Sequence, residues 1–573
     1  MRPLVDPRDG DVEDDASSPG ERSLLAVAGS LVAEISPAKL ALAITSLVLV
    51  PGLLLGVTPL ALGGWLATLS AQLASAAGLL ALPLVAGVAA LGWYAGRPLL
   101  RAAERSFWSL NALAVQPGYA LVREALRHGV ERVVAARGGP RGLARARAGS
   151  AAAAGLLAAV AALAVLAAAW PATRWIGAPE DLASPLRLVA PALANAVVLM
   201  TAYLAAAAIV WGIADATMAP PRDLPAFDPP RPGARRWRVA HLSDLHAVGG
   251  PYEFRLESGR AGARGNARME AALAALAARH AADPLDHVLV TGDVTDAGRS
   301  TEWAAFLDAL ERHPELCERA LILPGNHDLN VIDRANPARL DLPGSPRKQL
   351  RRVRALVAMA AVQGERVRTL GVDGGLGATL AATVERERTA ISRFAATGAR
   401  PHRGRVARLW REVFPLVAPP PTPEGLGVIL LNSNAETHFS FTNALGLVPA
   451  AQARALDALS RAWPRARWLV ALHHHVVEYP RPASTLAARI GTVLVNGSWF
   501  VRRLHPLRGR AVVLHGHRHV DWIGECGGLR IVSAPSPVMV RDDAGGYVRI
   551  LDLAAGAHGR LDLHRPEKVA LTA

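Results

Sequence analysis

The chain has 573 residues, of which 51% are hydrophobic and 19% charged. It is too long for one ordinary domain of about 100 to 200 residues, and its composition excludes a chain that is disordered throughout. The formal net charge is +15, but lysine occurs only at Lys39, Lys348 and Lys568. No basic motif interleaved with aromatic residues accompanies the arginines, so nucleic-acid binding is not expected. Two cysteines, Cys317 and Cys526, are too few for a disulfide framework, which favours a reducing compartment.

The first part of the chain is acidic. Its carboxylates lie among proline, glycine and serine and are Asp6, Asp9, Asp11, Glu13, Asp14, Asp15 and Glu21. This composition is typical of a solvated segment, and the absence of a basic n-region argues against a cleaved signal peptide. We therefore predict an acidic disordered tail over residues 1–37.

A nearly uncharged region follows over residues 38–218. Its apolar stretches run from Leu40 to Leu69, Gln72 to Tyr94, Ala151 to Trp170 and Leu186 to Ile213. Each reaches the roughly 20 residues that a helix needs to cross a bilayer, so we expect an α-helical transmembrane region of about four spans. Prolines interrupt the first stretch, and a re-entrant hairpin or two short passes there would change the number of spans. Buried alanine-rich helices of a soluble bundle are the other alternative.

Arginine is concentrated between the second and third stretches. Residues 97–148 contain ten arginines and three glutamates, which by the positive-inside rule predicts a basic cytoplasmic loop. With four spans, the N-terminus and everything after Ile213 would lie on the same side as this loop, the cytoplasmic side. The proline-rich residues 219–236 then predict a stiff, extended linker. The sequence thus predicts a multi-pass integral membrane protein whose C-terminal domain is cytoplasmic.

Residues 237–573 show the pattern of a layered α/β domain. Short apolar runs alternate with helical patterns and are bounded by glycine, proline, asparagine or aspartate, as buried strands are. The predicted strands are Trp237 to Leu242, Asp286 to Thr291, Ala320 to Leu323, Gly427 to Asn432, Arg467 to Leu472, Ala511 to Leu514, Leu529 to Val532 and Tyr547 to Leu551.

Five of these strands are followed at once by polar side chains that bind metals. The segments are His241-Leu-Ser-Asp244-Leu-His246, Thr291-Gly-Asp293-Val-Thr-Asp296, Pro324-Gly-Asn326-His327-Asp328, Leu472-His473-His474-His475 and His515-Gly-His517-Arg-His519. Residues two apart on an extended segment face the same way, so each pair can point into one cleft. Mixed imidazole and carboxylate ligands suit Mn, Fe, Zn, Co or Ni better than Ca or Mg. The pattern predicts a transition-metal site.

These segments resemble the motifs of the calcineurin-like metallophosphoesterase family, over roughly Arg236 to Asp562. The resemblance implies two β-sheets packed face to face, flanked by helices, with two metal ions at the sheet ends. It also implies the ligands, which are Asp244, His246 and His519 for one ion, Asn326, His473 and His517 for the other, and Asp293 bridging both. His475 stands where many members of the family have proline, which makes His473 the ligand that the resemblance supports least.

The same resemblance assigns the catalytic histidine to His327, which would donate a hydrogen bond or proton to the phosphate or leaving oxygen. Asp328 is predicted to orient His327, with capping of a helix N-terminus as the alternative. Asp296 is expected to support the ligands rather than to bind metal. Asn434 and His438 follow another predicted strand, and a substrate role for them competes with loop capping.

A long insert, about residues 329–425, separates two of the predicted strands. Basic residues run along a predicted helix in it and are Arg347, Lys348, Arg351, Arg352 and Arg354, and more arginines follow from Arg386 to Arg411. Near a cytoplasmic leaflet this insert could form a lid on anionic headgroups, whereas the alternative is a plain solvated helical face.

We therefore expect a membrane-anchored, dinuclear-metal phosphoesterase that hydrolyses its substrate with a metal-activated hydroxide. A phosphodiester or pyrophosphate is favoured over a phosphomonoester, and the substrate is expected to be lipid-linked, membrane-proximal or a nucleotide. The alternative is a membrane sensor or binding module whose metal domain binds a phosphorylated ligand without turnover.

Overall fold

The computed structural model describes residues 2–13, 116–135, 140–173, 189–333, 345–371, 374–480, 494–539 and 546–571, together with positions 87, 90, 336 and 339–341. The chain divides into two units. One comprises Met1–Glu34 and Met218–Ala573, and the other comprises Ile35–Thr217.

The apolar unit contains three long helices in its described part, α1 (Gln116–Ala135), α2 (Pro140–Ala169) and α3 (Val189–Ala216). Helices α2 and α3 touch at two glycines, because a Cβ on Gly155 would lie 2.6 Å from the Ala208 carbonyl oxygen and 2.9 Å from the Gly212 Cα. Small residues at such a contact let two backbones approach closely. On the outer surface, Leu156 and Val210 are each 62% exposed, as apolar side chains facing lipid would be.

Two segments, Gly142–Ala172 and Leu193–Ala216, are long and apolar enough to cross a membrane. They coincide with the third and fourth predicted spans. The first two predicted spans lie outside the described residues, apart from positions 87 and 90. Length and composition alone identify the two helices, so the membrane crossing and its orientation remain predictions.

The other unit is built on two β-sheets. The larger sheet has nine strands, in the spatial order β1 (Arg222–Asp223), β11 (Trp522–Cys526), β12 (Leu529–Ser533), β10 (Ala511–His515), β9 (Arg467–Ala471), β8 (Leu426–Leu430), β7 (Leu416–Ala418), β5 (Arg368–Leu370) and β6 (Leu376–Thr379). The smaller sheet has the order β14 (Leu561–Leu563), β13 (Tyr547–Ala555), β2 (Arg236–Leu242), β3 (His287–Thr291) and β4 (Ala320–Leu323), with β15 (Glu567–Ala570) also paired to β13.

The two sheets pack face to face. Successive residues of β10 show this arrangement, because Val512 and Leu514 belong to a core shared with Val239 and Leu242 of the smaller sheet. Val513, between them, belongs to the core on the opposite face of the larger sheet. This alternation is the period of two that a strand imposes on its side chains. The prediction of an α/β domain with two packed sheets flanked by helices is confirmed.

Helices cover the outer faces of the sheets and connect their strands. They are α4 (Ala267–Ala282), α5 (Ser300–Glu311), α6 (Pro314–Cys317), α7 (Asn326–Leu329), α8 (Pro346–Gln363), α9 (Leu380–Arg386), α10 (Arg388–Thr397), α11 (Arg400–Val413), α12 (Ala450–Ala462) and α13 (Gly497–Arg503). Strands β2, β3 and β4 run parallel to one another, as do β8, β9, β10 and β12. Their carboxyl ends therefore bring the polar motifs to one edge of the two sheets.

The arginine-rich insert is part of the fold. It supplies β5, β6 and β7 to the larger sheet, and Gln363 at the end of α8 bonds both backbone groups of Ile322 in β4. The basic residues do lie on a helix, but most of them point inward, with Lys348, Arg351, Arg352 and Arg354 all less than 9% exposed. A solvated face is therefore wrong for α8, because carboxylates from distant segments pair with its arginines, and these side chains do not face headgroups. For the arginines from Arg386 to Arg411, the lid stays a prediction.

The acidic tail also differs from expectation where it is described. Asp11 accepts hydrogen bonds from Arg354 at 2.6 and 2.7 Å, and both side chains are buried. Val12 donates from its backbone to the carbonyl oxygen of Ala395 at 2.9 Å. Residues 2–13 are thus an ordered part of the C-terminal unit rather than a solvated tail, because Asp11 neutralises a buried guanidinium. Residues 14–37 lie outside the described part of the chain.

The proline-rich linker is docked as well. Arg222 and Asp223 form β1 and pair antiparallel with Glu525 and Gly524 at the edge of the larger sheet. Farther along, Asp228 accepts a hydrogen bond from Arg530 at 2.9 Å. These contacts fit the extended conformation expected from the prolines and hold the linker against the domain.

Candidate metal centre

The strand-end loops carry an unusual backbone conformation. Positive φ angles occur at Asp244 (57°), His246 (42°), Asp293 (48°), His517 (75°) and His519 (53°). Among the described residues other than glycine, only His558 shares this conformation. Left-handed backbone costs about 1 kcal/mol or more at such residues and clusters where a site depends on it. The three loops that carry these residues are therefore shaped to aim particular side chains at one place.

Glycines allow these loops to converge. A Cβ on Gly292, whose φ is +92°, would lie 2.5 Å from Nδ1 of His473. A Cβ on Gly325 would lie 2.1 Å from Oδ1 of Asp293, and one on Gly516 would lie 1.8 Å from Oγ of Ser243. Any larger residue would separate the loops, because these distances are far below van der Waals contact.

The converging side chains form three overlapping groups whose ligand atoms lie within 4.8 Å of one another. The groups are Asp244 with His246 and His519, then His246 with Asp293 and His327, then Asp293 with His473 and His517. Asn326 joins the last group, since its Oδ1 lies 3.0 Å from Nε2 of His473. The structure thus brings all seven predicted ligands and His327 into one cluster, with Asp293 common to two groups.

The tightest contacts surround His473. Its Nε2 lies 3.2 Å from Oδ2 of Asp293 and 3.1 Å from Nδ1 of His517. On the other side of the cluster, Nε2 of His519 lies 3.4 Å from Oδ1 of Asp244. His473 is therefore the member of the histidine run that faces the shared carboxylate.

Charge in this cluster is strongly coupled. Burial would raise the pKa of Asp293, but the neighbouring His473 and His327 outweigh it and lower that pKa. In the same way, burial would lower the pKa of His473, yet the charge of Asp293 raises it to about 9. Burial and the surrounding histidines hold the pKa of His517 well below its usual value.

Two ring nitrogens in the buried cluster, Nε2 of His246 and Nε2 of His517, have no hydrogen-bond partner. A buried polar atom without a partner costs about 1–3 kcal/mol, so such atoms require an explanation. Coordination to a metal ion would satisfy both. Together with two carboxylates and the remaining imidazoles, this donor set fits transition-metal ions.

Three histidine rings of the cluster are held at their Nδ1 atoms by backbone or carboxylate oxygens. Nδ1 of His246 lies 3.2 Å from Oδ1 of Asp296, and Nδ1 of His473 lies 2.9 Å from the Thr291 carbonyl oxygen. Nδ1 of His327 lies 2.7 Å from the Asp296 carbonyl oxygen. Hydrogen bonds of this kind set the tautomer and orientation of metal-binding histidines. Asp296 acts here as the supporting residue that the sequence suggested.

Asp328 does not orient His327. Its carboxylate accepts hydrogen bonds from the backbone of Gly325 at 2.8 Å and from the backbone and hydroxyl of Thr295 at 2.8 and 2.6 Å. Burial, followed by the charge of Asp293, raises the pKa of Asp328 to about 6. The prediction that it orients the catalytic ring is therefore wrong. Its actual role, tying two site loops together at the start of α7, is closer to the capping alternative.

The weaker sequence candidates mostly stabilise loops. Nδ2 of Asn434 donates to the carbonyl oxygen of Pro324 at 2.9 Å, and Nδ1 of His438 lies 3.1 Å from the Asp341 carbonyl oxygen. Nδ1 of His474 lies 2.9 Å from the Ser433 hydroxyl. These contacts fit the loop-capping alternative for Asn434 and His438.

Sequence reasoning missed one acidic residue, Glu257. Its carboxylate oxygens lie 3.8 Å from Nε2 of His327 and 3.6 Å from Nδ1 of His519. The residue lies in the connection from β2 to α4, away from every strand end, so no periodic pattern pointed to it. Only the path of that connection brings Glu257 to the cluster.

Comparison with known proteins gives a family and several solved structures. Residues 238–521 match the model of the family described as calcineurin-like phosphoesterase. No curated protein matches the chain. A dimetal phosphatase from Danio rerio is 11% identical with a TM-score of 0.33, and the match covers 59% of this chain and 99% of that one. A proposed 5′-nucleotidase from Staphylococcus aureus, solved with α-ketoglutarate, is 11% identical with a TM-score of 0.28, covering 59% and 55% of the respective chains.

Proposed function

Since residues 238–521 belong to the calcineurin-like phosphoesterase family, we propose that the protein is a membrane-anchored, metal-dependent phosphoric ester hydrolase. The observation that carries this proposal is the buried cluster in which Asp293 belongs to two of the three ligand groups. A carboxylate shared in this way suits a pair of metal ions, because it can offer one oxygen to each of them.

In the proposed centre, Asp244, His246 and His519 would hold one ion, Asn326, His473 and His517 would hold the other, and Asp293 would contribute to both. The unpartnered Nε2 atoms of His246 and His517 support this assignment. The mixed donors favour Mn, Fe, Zn, Co or Ni. When bound, two such ions polarise phosphate oxygens and acidify water.

His327 is the proposed proton donor to the phosphate or to the leaving oxygen. Its Nδ1 is held by the Asp296 carbonyl at 2.7 Å, so Nε2, which lies 3.8 Å from Oε1 of Glu257, is the nitrogen that would donate to a substrate. Burial would lower the pKa of His327, but Asp293 and Glu257 outweigh it and raise that pKa well above the usual value. A protonated imidazole at this position supports donation to a departing oxygen, an effect worth typically 10² to 10⁴-fold in rate.

We further propose that the preferred substrate is a phosphodiester or pyrophosphate, either lipid-linked or a nucleotide, and that hydrolysis occurs on the cytoplasmic side. Two helices of suitable length and composition support attachment to a membrane. Attachment would keep the catalytic domain close to substrates in the bilayer, and the arginines of residues 97–148 favour a cytoplasmic orientation.

Hydrolysis by the detergent-purified full chain tests this function. With added Mn²⁺, we expect turnover of bis(p-nitrophenyl) phosphate and, more slowly, of p-nitrophenyl phosphate. Asp293→Ala and His327→Ala should each lower kcat/KM by at least about 100-fold. The control is Asp308→Ala, since that side chain lies on α5 and is 56% exposed. Unchanged turnover in both site variants would contradict the proposal.

The alternative, a sensor or binding module, predicts a different outcome. The protein would bind metal and a phosphorylated ligand but would hydrolyse neither ester. Metal content measured on the same preparation separates this outcome from simple loss of the metal ions.

A further inference from the structure

The connection between β2 and α4 is itself a built structure. Arg255, only 1% exposed, donates to the carbonyl oxygens of Ala263 at 3.0 Å and Gly265 at 2.9 Å. The backbone N–H of the next residue, Leu256, donates to Oδ2 of Asp296 at 2.7 Å. The same carboxylate contacts Nδ1 of His246 through its other oxygen. The backbone immediately before Glu257 is therefore held by the site.

This anchoring presents the Glu257 side chain to two imidazoles at once. Oε2 lies 3.6 Å from Nδ1 of His519, while Oε1 lies 3.8 Å from Nε2 of His327. The ring of His246 lies between them, with centroid distances of 4.4 Å to His327 and 5.4 Å to His519.

We propose that Glu257 is a positioning residue that orients His519 for metal binding and holds the ring of His327 on the same side of the site. His519 faces Asp244 with Nε2 and Glu257 with Nδ1. Nδ1 of His519 thus faces a carboxylate at ion-pair distance, on the side of the ring away from Asp244. Loss of a carboxylate partner behind a metal-binding histidine costs about 10 to 100-fold in metal affinity or activity. The inference rests on the proposed function and its ligand assignment.

The Glu257 side chain is not what holds the loop together. Arg255 and the Leu256 backbone do that, and the Glu257 side chain is 39% exposed. Glu253 offers a matched control, because it lies on the same loop, is 46% exposed, and contacts Arg299 and the backbone of Gly249 rather than the histidines. Substitution at either position should leave the thermal midpoint of the metal-free protein unchanged.

The test is Mn²⁺ binding by metal-free, full-length protein in detergent, measured by calorimetric titration. Glu257→Ala should raise the Kd of the weakened site about 10 to 100-fold. Glu257→Gln keeps an acceptor oxygen and should recover part of that loss, whereas Glu253→Ala should bind like the wild type. With saturating Mn²⁺, Glu257→Ala should lower kcat more than it raises KM, because the ring of His327 is no longer held.

Binding of Mn²⁺ by Glu257→Ala within twofold of the wild type would overturn the inference. A Gln variant as impaired as the Ala variant would also overturn the orienting role of the acceptor oxygen. If Asp293→Ala loses hydrolysis but Glu257→Ala binds Mn²⁺ normally, the proposed function is supported and the positioning role of Glu257 is contradicted. Weakened binding in Glu257→Ala without hydrolysis by the wild type would support the positioning role while contradicting the proposed function. A wild type that binds neither Mn²⁺ nor Zn²⁺ would contradict both.

Discussion

Helices α8 and α11 of the insert are both rich in arginine, yet they use arginine in opposite ways. On α8, Arg352 pairs with Glu436 at 2.6 Å, and Arg351 pairs with Asp341. On α11, Arg405 and Arg408 are exposed. The apolar side chains of α11, including Leu409 and Trp410, are the ones that turn into the core. The difference shows that arginine content does not determine exposure, because a guanidinium can be buried wherever the fold supplies a carboxylate.

The partner supplied to Arg354 comes from the other end of the chain. Asp11 lies 343 positions away and receives two of its N–H groups. A third N–H of Arg354 donates to the carbonyl oxygen of Gly298 at 3.0 Å, in the loop that also carries Asp296. This pair therefore connects the N-terminal segment to a loop of the candidate metal centre.

The largest change in the free energy of unfolding is expected when the pair of Asp11 and Arg354 is broken. Asp11→Ala would remove the carboxylate that accepts two N–H groups of the buried Arg354, while the partly exposed Glu13 stays 3.2 Å away. We therefore expect a loss of about 3 kcal/mol, the lower end of what breaking a buried pair costs. Chemical denaturation followed by tryptophan fluorescence would measure the loss. The double variant Asp11→Ala with Arg354→Met should be more stable than Asp11→Ala alone, since no charge is then left unpaired. A loss of stability below about 1 kcal/mol would show that residues 2–13 do not stabilise the domain.

A smaller effect is expected from Lys348 on α8, and it depends on pH. Burial outweighs the neighbouring Glu436 and lowers the pKa of Lys348 from 10.5 to about 8. Between these two values the unfolded chain binds more protons than the folded chain, so this group makes stability rise with pH. From pH 8 to 10.5, the free energy of unfolding of the wild type should rise by about 2–3 kcal/mol relative to that of Lys348→Met, as measured by chemical denaturation at each pH. If the difference in the free energy of unfolding between the wild type and Lys348→Met does not change with pH, the low pKa of Lys348 is contradicted.

The smallest effect is expected on the exposed face of α11. Arg408→Ala removes a side chain that faces solvent, so the free energy of unfolding should change by less than about 0.5 kcal/mol. The same denaturation measurement checks it and serves as the control for Asp11→Ala. A destabilisation as large as that of Asp11→Ala would mean that the two helices do not differ as their burial indicates.

All eight predicted strands occur in the structure, with ends that differ by a few residues. Continuous apolar runs such as Ala320 to Leu323 are buried on both faces, and such runs are visible without knowledge of the fold. Strands β5 and β6 escaped prediction because they are short and only partly buried, and β7 because its apolar run has only three residues. They exist because the edge of a larger sheet is available for pairing, and no local pattern records that edge.

The candidate site was predictable to a similar degree and for a similar reason. Its seven predicted ligands and His327 stand beside strand ends and glycines, so spacing and resemblance together predicted that they would meet, as they do in the structure. Asp328 was given the wrong partner because adjacency in sequence to His327 does not determine where its carboxylate points. Glu257 was missed because its position depends on the path of the loop between β2 and α4.

By itself, the sequence determined the apolar region, the strands of the two central sheets and the chemistry of the ligand set. These follow from short-range patterns of hydrophobicity and from residue types at strand ends, which the chain carries locally. Only the tertiary structure decided which charges are buried, that Asp11 belongs with Arg354, and that Glu257 faces His327 and His519. Such contacts join residues tens to hundreds of positions apart, and they form only after burial of apolar surface has brought the segments together.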